Sequence, residues 1–439
     1  MLKINNPTRE EWPSVIARPT QQLEDIEVTV SEIFQDVRNN GDLAVKKYTA
    51  IFDGVELNDM YVSKKEREFA EANLSDNFKS AILKAKQNIE KFHVSQKSNF
   101  KIIETVIGVK CWQEKKPIQK IGLYIPGGTA PLFSTVLMLA IPAQIAGCQD
   151  IVLCSPPDKN GKIADEIIYA AQLCGCTKVL KVGGIQAVAG MTFGTKQIPK
   201  VYKIFGPGNQ FVTVAKQLST KYGMAIDMPA GPSELLIIAD DSANPKYVAS
   251  DLLSQAEHGA DSQVILVANS MNFIDCVEKE IYLQLARLPR RDIARKSINN
   301  SKLILCNDMD TSLDLVNSYG PEHLIICTEN NDFYVNGIIN AGSVFIGDYS
   351  PESAGDYATG TNHTLPTNGF SKAYSGVNLD SFTKSITFQE ISKQGLINIG
   401  ETIEILLLLT TRKHMAENHK LSEIIAKKLA GTCFFKPEI

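Results

Sequence analysis

Ile121-Gly122-Leu123-Tyr124-Ile125-Pro126-Gly127-Gly128 is a short apolar run that stops at a Pro-Gly-Gly turn. It reads as a buried strand, and the apolar stretch at 136–146 reads as the helix that follows it. Working outward, 151–154 is a second strand, 163–173 a helix and 178–182 a third strand. A fourth strand at 202–205 meets Gly206-Pro207-Gly208, which leads into a helix beginning near Asn209. Strand and helix in alternation imply a mostly parallel sheet covered on both faces.

The same rhythm returns after residue 233. Strands are expected at 235–239, 264–268, 303–306, 324–327 and 344–346, with helices at 247–257 and 309–318. Upstream, the N-terminal third reads helical. Thr29-Val30-Ser31-Glu32 fits a capping box, in which a hydroxyl and a glutamate three residues on satisfy free helix N–H groups. Val30, Ile33, Phe34 and Val37 follow at helical spacing, and Phe78, Ile82, Ala85, Ile89 and Phe92 form a stripe along a helix at 75–94. Both stripes read as core. The expected fold is α/β: two Rossmann-like units with mostly parallel sheets, N-terminal helices and a C-terminal helical arm. The domain plan is an N-terminal segment at 1–25, one discontinuous α/β domain at 26–118 with 234–381, a second at 119–233, and the arm at 382–439.

Composition narrows the function. The 439 residues are 44% hydrophobic and 21% charged, with a formal net charge of −4. A length of this size exceeds one ordinary core and implies at least two domains. Near-neutral charge excludes a nucleic-acid or anionic-membrane partner, because both select strongly basic chains. The first residues lack a signal peptide's apolar core, and the aliphatic run at 405–409 is too short to span a bilayer. A soluble, cytoplasmic protein is expected. The nine cysteines are odd in number and irregular in spacing, which reads as buried free thiols in a reducing compartment.

Three stretches carry chemistry. In Ser254-Gln255-Ala256-Glu257-His258-Gly259, a helix would put Gln255 and His258 on one face, where both can reach a metal ion. A plain alternative is a histidine favoured by the helix dipole. Tyr319-Gly320-Pro321-Glu322-His323 delivers an acid and an imidazole to the start of a strand, suited to acid–base work or to a surface turn. The long polar loop at 347–367, whose acids include Asp356 and which contains His363, is functional or disordered. The turns at 126–128 and 206–208 can offer helix N–H groups to a phosphate, though neither has the dinucleotide fingerprint.

Taken together these runs closely resemble the histidinol dehydrogenase family over nearly the whole chain. The resemblance is carried by 122–128, by Ile204-Phe205-Gly206-Pro207-Gly208-Asn209 and by Asp227-Met228-Pro229-Ala230-Gly231-Pro232-Ser233-Glu234. It continues through 255–259, 320–324 and Pro351-Glu352-Ser353-Ala354-Gly355-Asp356-Tyr357. It implies NAD-dependent oxidation of L-histidinol through the aldehyde to L-histidine, within histidine biosynthesis. Another amino-alcohol dehydrogenase or a silent homologue are the alternatives. By resemblance, Gln255, His258, Asp356 and His419 are zinc ligands that also border the substrate, Ser233 is a substrate contact, and Glu322 and His323 are the acid–base pair. Tyr124, Gln186 and Asn209 are NAD contacts, which makes 119–233 the NAD side.

The resemblance also implies a homodimer whose arm completes the neighbouring site. In the family a glutamate lies five residues before the last histidine ligand. Here His414 occupies that place before His419, and Glu417 is the nearest acid.

Overall fold

The computed structural model describes residues 1–19, 24–127, 131–229 and 231–410. The apolar runs form parallel strands, as their lack of polar alternation requires. Lys178–Lys181, Asp150–Ser155, Lys120–Tyr124, Lys203–Phe205 and Ala225–Ile226 make one five-stranded sheet in that spatial order, with every pairing parallel. Successive side chains point to opposite faces. Ile121, Leu123, Ile151 and Leu153 pack with helices Asp76–Val94, Phe133–Ala146 and Asp165–Leu173. Tyr124, Val152 and Cys154 pack with Glu24–Asn40, Gly184–Phe193 and Gln210–Thr220.

A six-stranded sheet runs Leu2–Asn5, Lys302–Leu305, Gln263–Ala268, Glu234–Ala239, His323–Cys327 and Ser343–Ile346, again all parallel. Leu235 and Ile237 face helices Pro245–Ala256, Met271–Leu285 and Arg291–Asn299. Leu236 and Ile238 face Met309–Tyr319 and Trp12. The α/β class and both parallel sheets are as expected.

Several local expectations are corrected. Helix Glu24–Asn40 starts ahead of Thr29, so the capping-box pattern lies inside a helix. Phe92 is exposed and His93 takes the buried place beside it. Leu2–Asn5 is an unexpected edge strand. Cys276 is exposed rather than buried, while the eight described cysteines are free and Cys433 lies outside the described residues.

The region from 382 is not wholly helical. Thr383–Ile391 is a strand beside Val109–Pro117, which pairs antiparallel with Ile103–Val106, and only then does helix Lys393–Thr410 begin. The Thr, Ile and Phe content of that segment favours extended backbone, and Phe388 stacks on Trp112 with ring centroids 5.4 Å apart. The chain divides into two compact units, Met1–Gln96 with Pro117–Phe382, and Lys97–Lys116 with Thr383–Ile439. Both parallel sheets belong to the first. Among the described residues no helix is long and apolar enough to cross a membrane.

Candidate active site

Glu322 and His323 arrive by a sharp stop. Helix Met309–Tyr319 ends at Gly320 in left-handed backbone (φ 62°), and Pro321 prevents its continuation. His323 then opens a strand in register with Leu235, one residue past Glu234. Both site residues are buried, and both are held by the main chain of Glu234. Its N–H donates to Glu322 Oε2 at 2.8 Å. Its carbonyl oxygen lies 3.2 Å from His323 Nδ1. A carbonyl only accepts, so Nδ1 carries the hydrogen and Nε2 keeps its lone pair. Nε2 is buried and has no hydrogen-bond partner. Burial pushes the imidazole down to about 3, so it is neutral near pH 7. Burial likewise holds the Glu322 carboxyl well above the usual carboxylate range.

A second group converges beside them. Helix Pro245–Ala256 carries Gln255 in its last turn, and His258 follows just beyond, its N–H donating to the Gln255 carbonyl at 3.2 Å. Within the polar stretch read as a loop, Glu352–Tyr357 is a helix, and Glu352 and Asp356 share its face at i and i+4. One ligand atom each from His258, Glu352 and Asp356 lie within 4.8 Å of one another. The buried Gln255 amide rests on the Glu352 carboxylate, and with its NH2 on that side it donates across 3.1 Å. Burial pushes Asp356 up to about 6, and burial together with the Asp356 charge holds Glu352 well above its usual range. Crowded carboxyls of this kind are relieved by a cation, and a donor set of carboxylate, imidazole and amide suits zinc. The residues fit the metal. His258 is the exposed member of the group, on its rim.

His363 lines the same place. Its Nδ1 is 3.9 Å from Asp356 Oδ1, its Nε2 is 3.3 Å from Thr135 Oγ1, and burial pushes it down to about 4. Thr135 lies in the first turn of helix Phe133–Ala146, directly after the turn that follows strand Lys120–Tyr124. That turn borders a cavity of about 770 Å³ lined by Tyr124, Gly127, Ser155, Gln186, Asn209 and Phe52. The cavity sits at the carboxyl ends of the strands, where the order of the five-stranded sheet reverses, the usual place for a ligand in an open α/β fold. Its volume is in the range of small-molecule sites. Gln186 is buried with its Oε1 unpartnered, and its Nε2 is 3.4 Å from Asp53 Oδ2. Gly206 has φ 123°, and a Cβ there would lie 2.0 Å from the Tyr124 carbonyl oxygen, so the turn tolerates no side chain.

Gln255, His258, Asp356, Glu322 and His323 are thus brought together. Ser233 is half-buried immediately before Glu234. Tyr124, Gln186 and Asn209 share the cavity. His414, Glu417 and His419 lie outside the described residues. Sequence reasoning assigned no role to Glu234, Arg18 or Asp53, and reached Glu352 only as one of the polar loop's acids that could complete a metal shell. Only Glu352 and Asp356 left a local signal, their spacing of four on a short helix.

The histidinol dehydrogenase family model matches residues 16–412. The chain belongs to that family. The histidinol dehydrogenase of Bacteroides thetaiotaomicron is 58% identical over 404 residues, which are 92% of this chain and 94% of that protein. The histidinol dehydrogenase of Escherichia coli (strain K12) is 52% identical over 409 residues, 92% of this chain and 93% of that one. A crystal structure of histidinol dehydrogenase from Elizabethkingia anophelis superposes with a TM-score of 0.94 at 52% identity, covering 98% of this chain and 99% of that one. The candidate site residues placed above fall inside 16–412, whereas the matched stretch stops short of His414, Glu417 and His419.

Proposed function

We propose that this chain is an NAD-dependent, zinc-anchored L-histidinol dehydrogenase of the cytoplasm, which removes four electrons in oxidising L-histidinol through L-histidinal to L-histidine in histidine biosynthesis. The carrying observation is the convergence of His258, Glu352 and Asp356, with Gln255 resting on Glu352, beside a neutral, buried His323 whose Nε2 is unpartnered. Zinc would supply an anchor for the substrate's amine and imidazole nitrogens, and NAD a hydride acceptor.

The chain's own residues do the rest. Gln255, His258 and Asp356 hold the metal, with His419 of a second copy as fourth ligand in a homodimer. Ser233 orients the substrate. His323 takes the hydroxyl proton on Nε2 in the first oxidation, because Nδ1 is occupied at the Glu234 carbonyl. Glu322 then takes a proton from the water that adds to the aldehyde, and its burial strengthens it as a base. Tyr124, Gln186 and Asn209 line the cofactor's cavity. Enclosure of the pair keeps the aldehyde from bulk water between steps.

The test is NAD reduction by purified protein with L-histidinol, before and after chelation. Two NADH per histidinol, lost with a chelator and restored by zinc, are expected. A catalytically silent homologue is the alternative, suggested by His414 standing where the family's glutamate is expected. Folded, zinc-loaded protein that reduces no NAD would select that reading.

A further inference from the structure

Resting on the proposed acid–base roles of Glu322 and His323, we infer that Arg18 is a positioning residue for both of them, acting through Glu234. The main chain of Glu234 meets both side chains, so its placement sets the direction of both. Its own carboxylate is 3% exposed and is gripped on two sides. Arg18 donates from Nε at 2.5 Å and from Nη2 at 2.8 Å, a bidentate fork. The Asn368 N–H donates to Oε1 at 2.7 Å.

Arg18 also reaches the other strand's approach. Its Nη2 donates to the Tyr319 carbonyl at 3.0 Å, and its guanidinium lies 4.0 Å from the Tyr319 ring centroid. These groups form the end of the helix that delivers Glu322 three residues later. One cation therefore fixes the start of the Glu234 strand against the turn that carries the catalytic pair. A helix C-terminus favours such a cation, which also satisfies a carbonyl left over by the helix. Lysine has the charge but not the fork. Arg18 touches neither Glu322 nor His323 by any hydrogen bond or ion pair given by the structure, so its effect is on geometry.

The experiment compares Arg18→Met, Arg18→Lys and Glu234→Gln with wild-type protein, each zinc-loaded and full-length, with His323→Gln alongside. Arg18→Met is expected to lower kcat by about 10- to 100-fold, the usual cost of a small misplacement of reacting groups. KM for L-histidinol and NAD and the bound zinc stay near wild type, and Arg18→Lys recovers part of kcat. A folded Arg18→Met with wild-type kcat overturns the inference. So does a fall in kcat matched by a rise in both KM values and loss of zinc, which marks general disruption. Should Arg18→Met fail to fold, Glu234→Gln decides, since it keeps shape and one acceptor and carries the same expected kcat loss. His323→Gln separates the two levels. If it retains turnover, the acid–base reading itself falls; if it is dead while Arg18→Met is normal, only the role of Arg18 falls.

Discussion

Lys216 and Asp227 form a buried ion pair, Nζ to Oδ1 at 2.5 Å with side chains 5% and 1% exposed, and the two partners close a ring on Gly206. Lys216 Nζ donates to the Gly206 carbonyl at 2.8 Å, while the Gly206 N–H donates to Asp227 Oδ2 at 2.8 Å. The turn that leads to Asn209 is thus set by a buried ion pair. Removing one partner leaves the other charge buried and unpaired, which costs about 3–5 kcal/mol. Lys216→Met is expected to lower the urea midpoint accordingly, and an unchanged midpoint would show that the ring is slack.

Gly206→Ala meets two obstacles, the left-handed φ and the Tyr124 carbonyl oxygen. The turn must move, at a cost of about 1–3 kcal/mol. Binding of NAD, followed by quenching of protein fluorescence, should weaken by about ten-fold, with zinc content unaltered.

Metal content tests the proposed zinc group around His258 and Asp356 directly. His258→Ala and Asp356→Asn should each leave purified protein with well below one zinc per chain by elemental analysis. Gln186→Ala, in the other cavity, should retain it. Full zinc in both ligand variants would remove these residues from the metal's shell.

Asp53 supplies a pH signature. Burial pushes its carboxyl up to about 6 from an ordinary 3.8. The folded chain therefore holds this proton more firmly than the unfolded chain does. Its contribution to stability is intact below pH 3.8 and is lost as pH rises through about 6. Asp53→Asn removes the loss, so thermal unfolding should come at a higher temperature near pH 8 and be unchanged at about pH 3.5. Equal midpoints at both values would mean that Asp53 is solvated.

Much of this molecule is written locally. Leu235 to Ala239 and Val264 to Ala268 have no polar alternation because both faces of their sheet are covered, and that pattern is readable in one pass. Glu322-His323 is readable because Gly320-Pro321 must end a helix just before it. The strand Thr383–Ile391 was hidden: it is largely exposed, and the apolar helix behind it dominates the composition. Leu2–Asn5 has too few residues to show a period. Arg18 and Glu234 are 216 positions apart. No periodicity links such a pair, so the fork of Arg18 on Glu234 is visible only in the three-dimensional arrangement.

The pairing of Leu2–Asn5 with Lys302–Leu305 also sets a timetable. At roughly 5–20 residues per second of synthesis, the 300 positions between Leu2 and Lys302 take about 15–60 s to make. Throughout that interval the early strand lacks its Lys302–Leu305 neighbour, and before the interval ends the whole five-stranded sheet, complete at Ile226, has been made and is free to fold. The edge strand Leu2–Asn5 is therefore sealed late, and a ribosome-bound chain carries it unpaired until Lys302–Leu305 has been made.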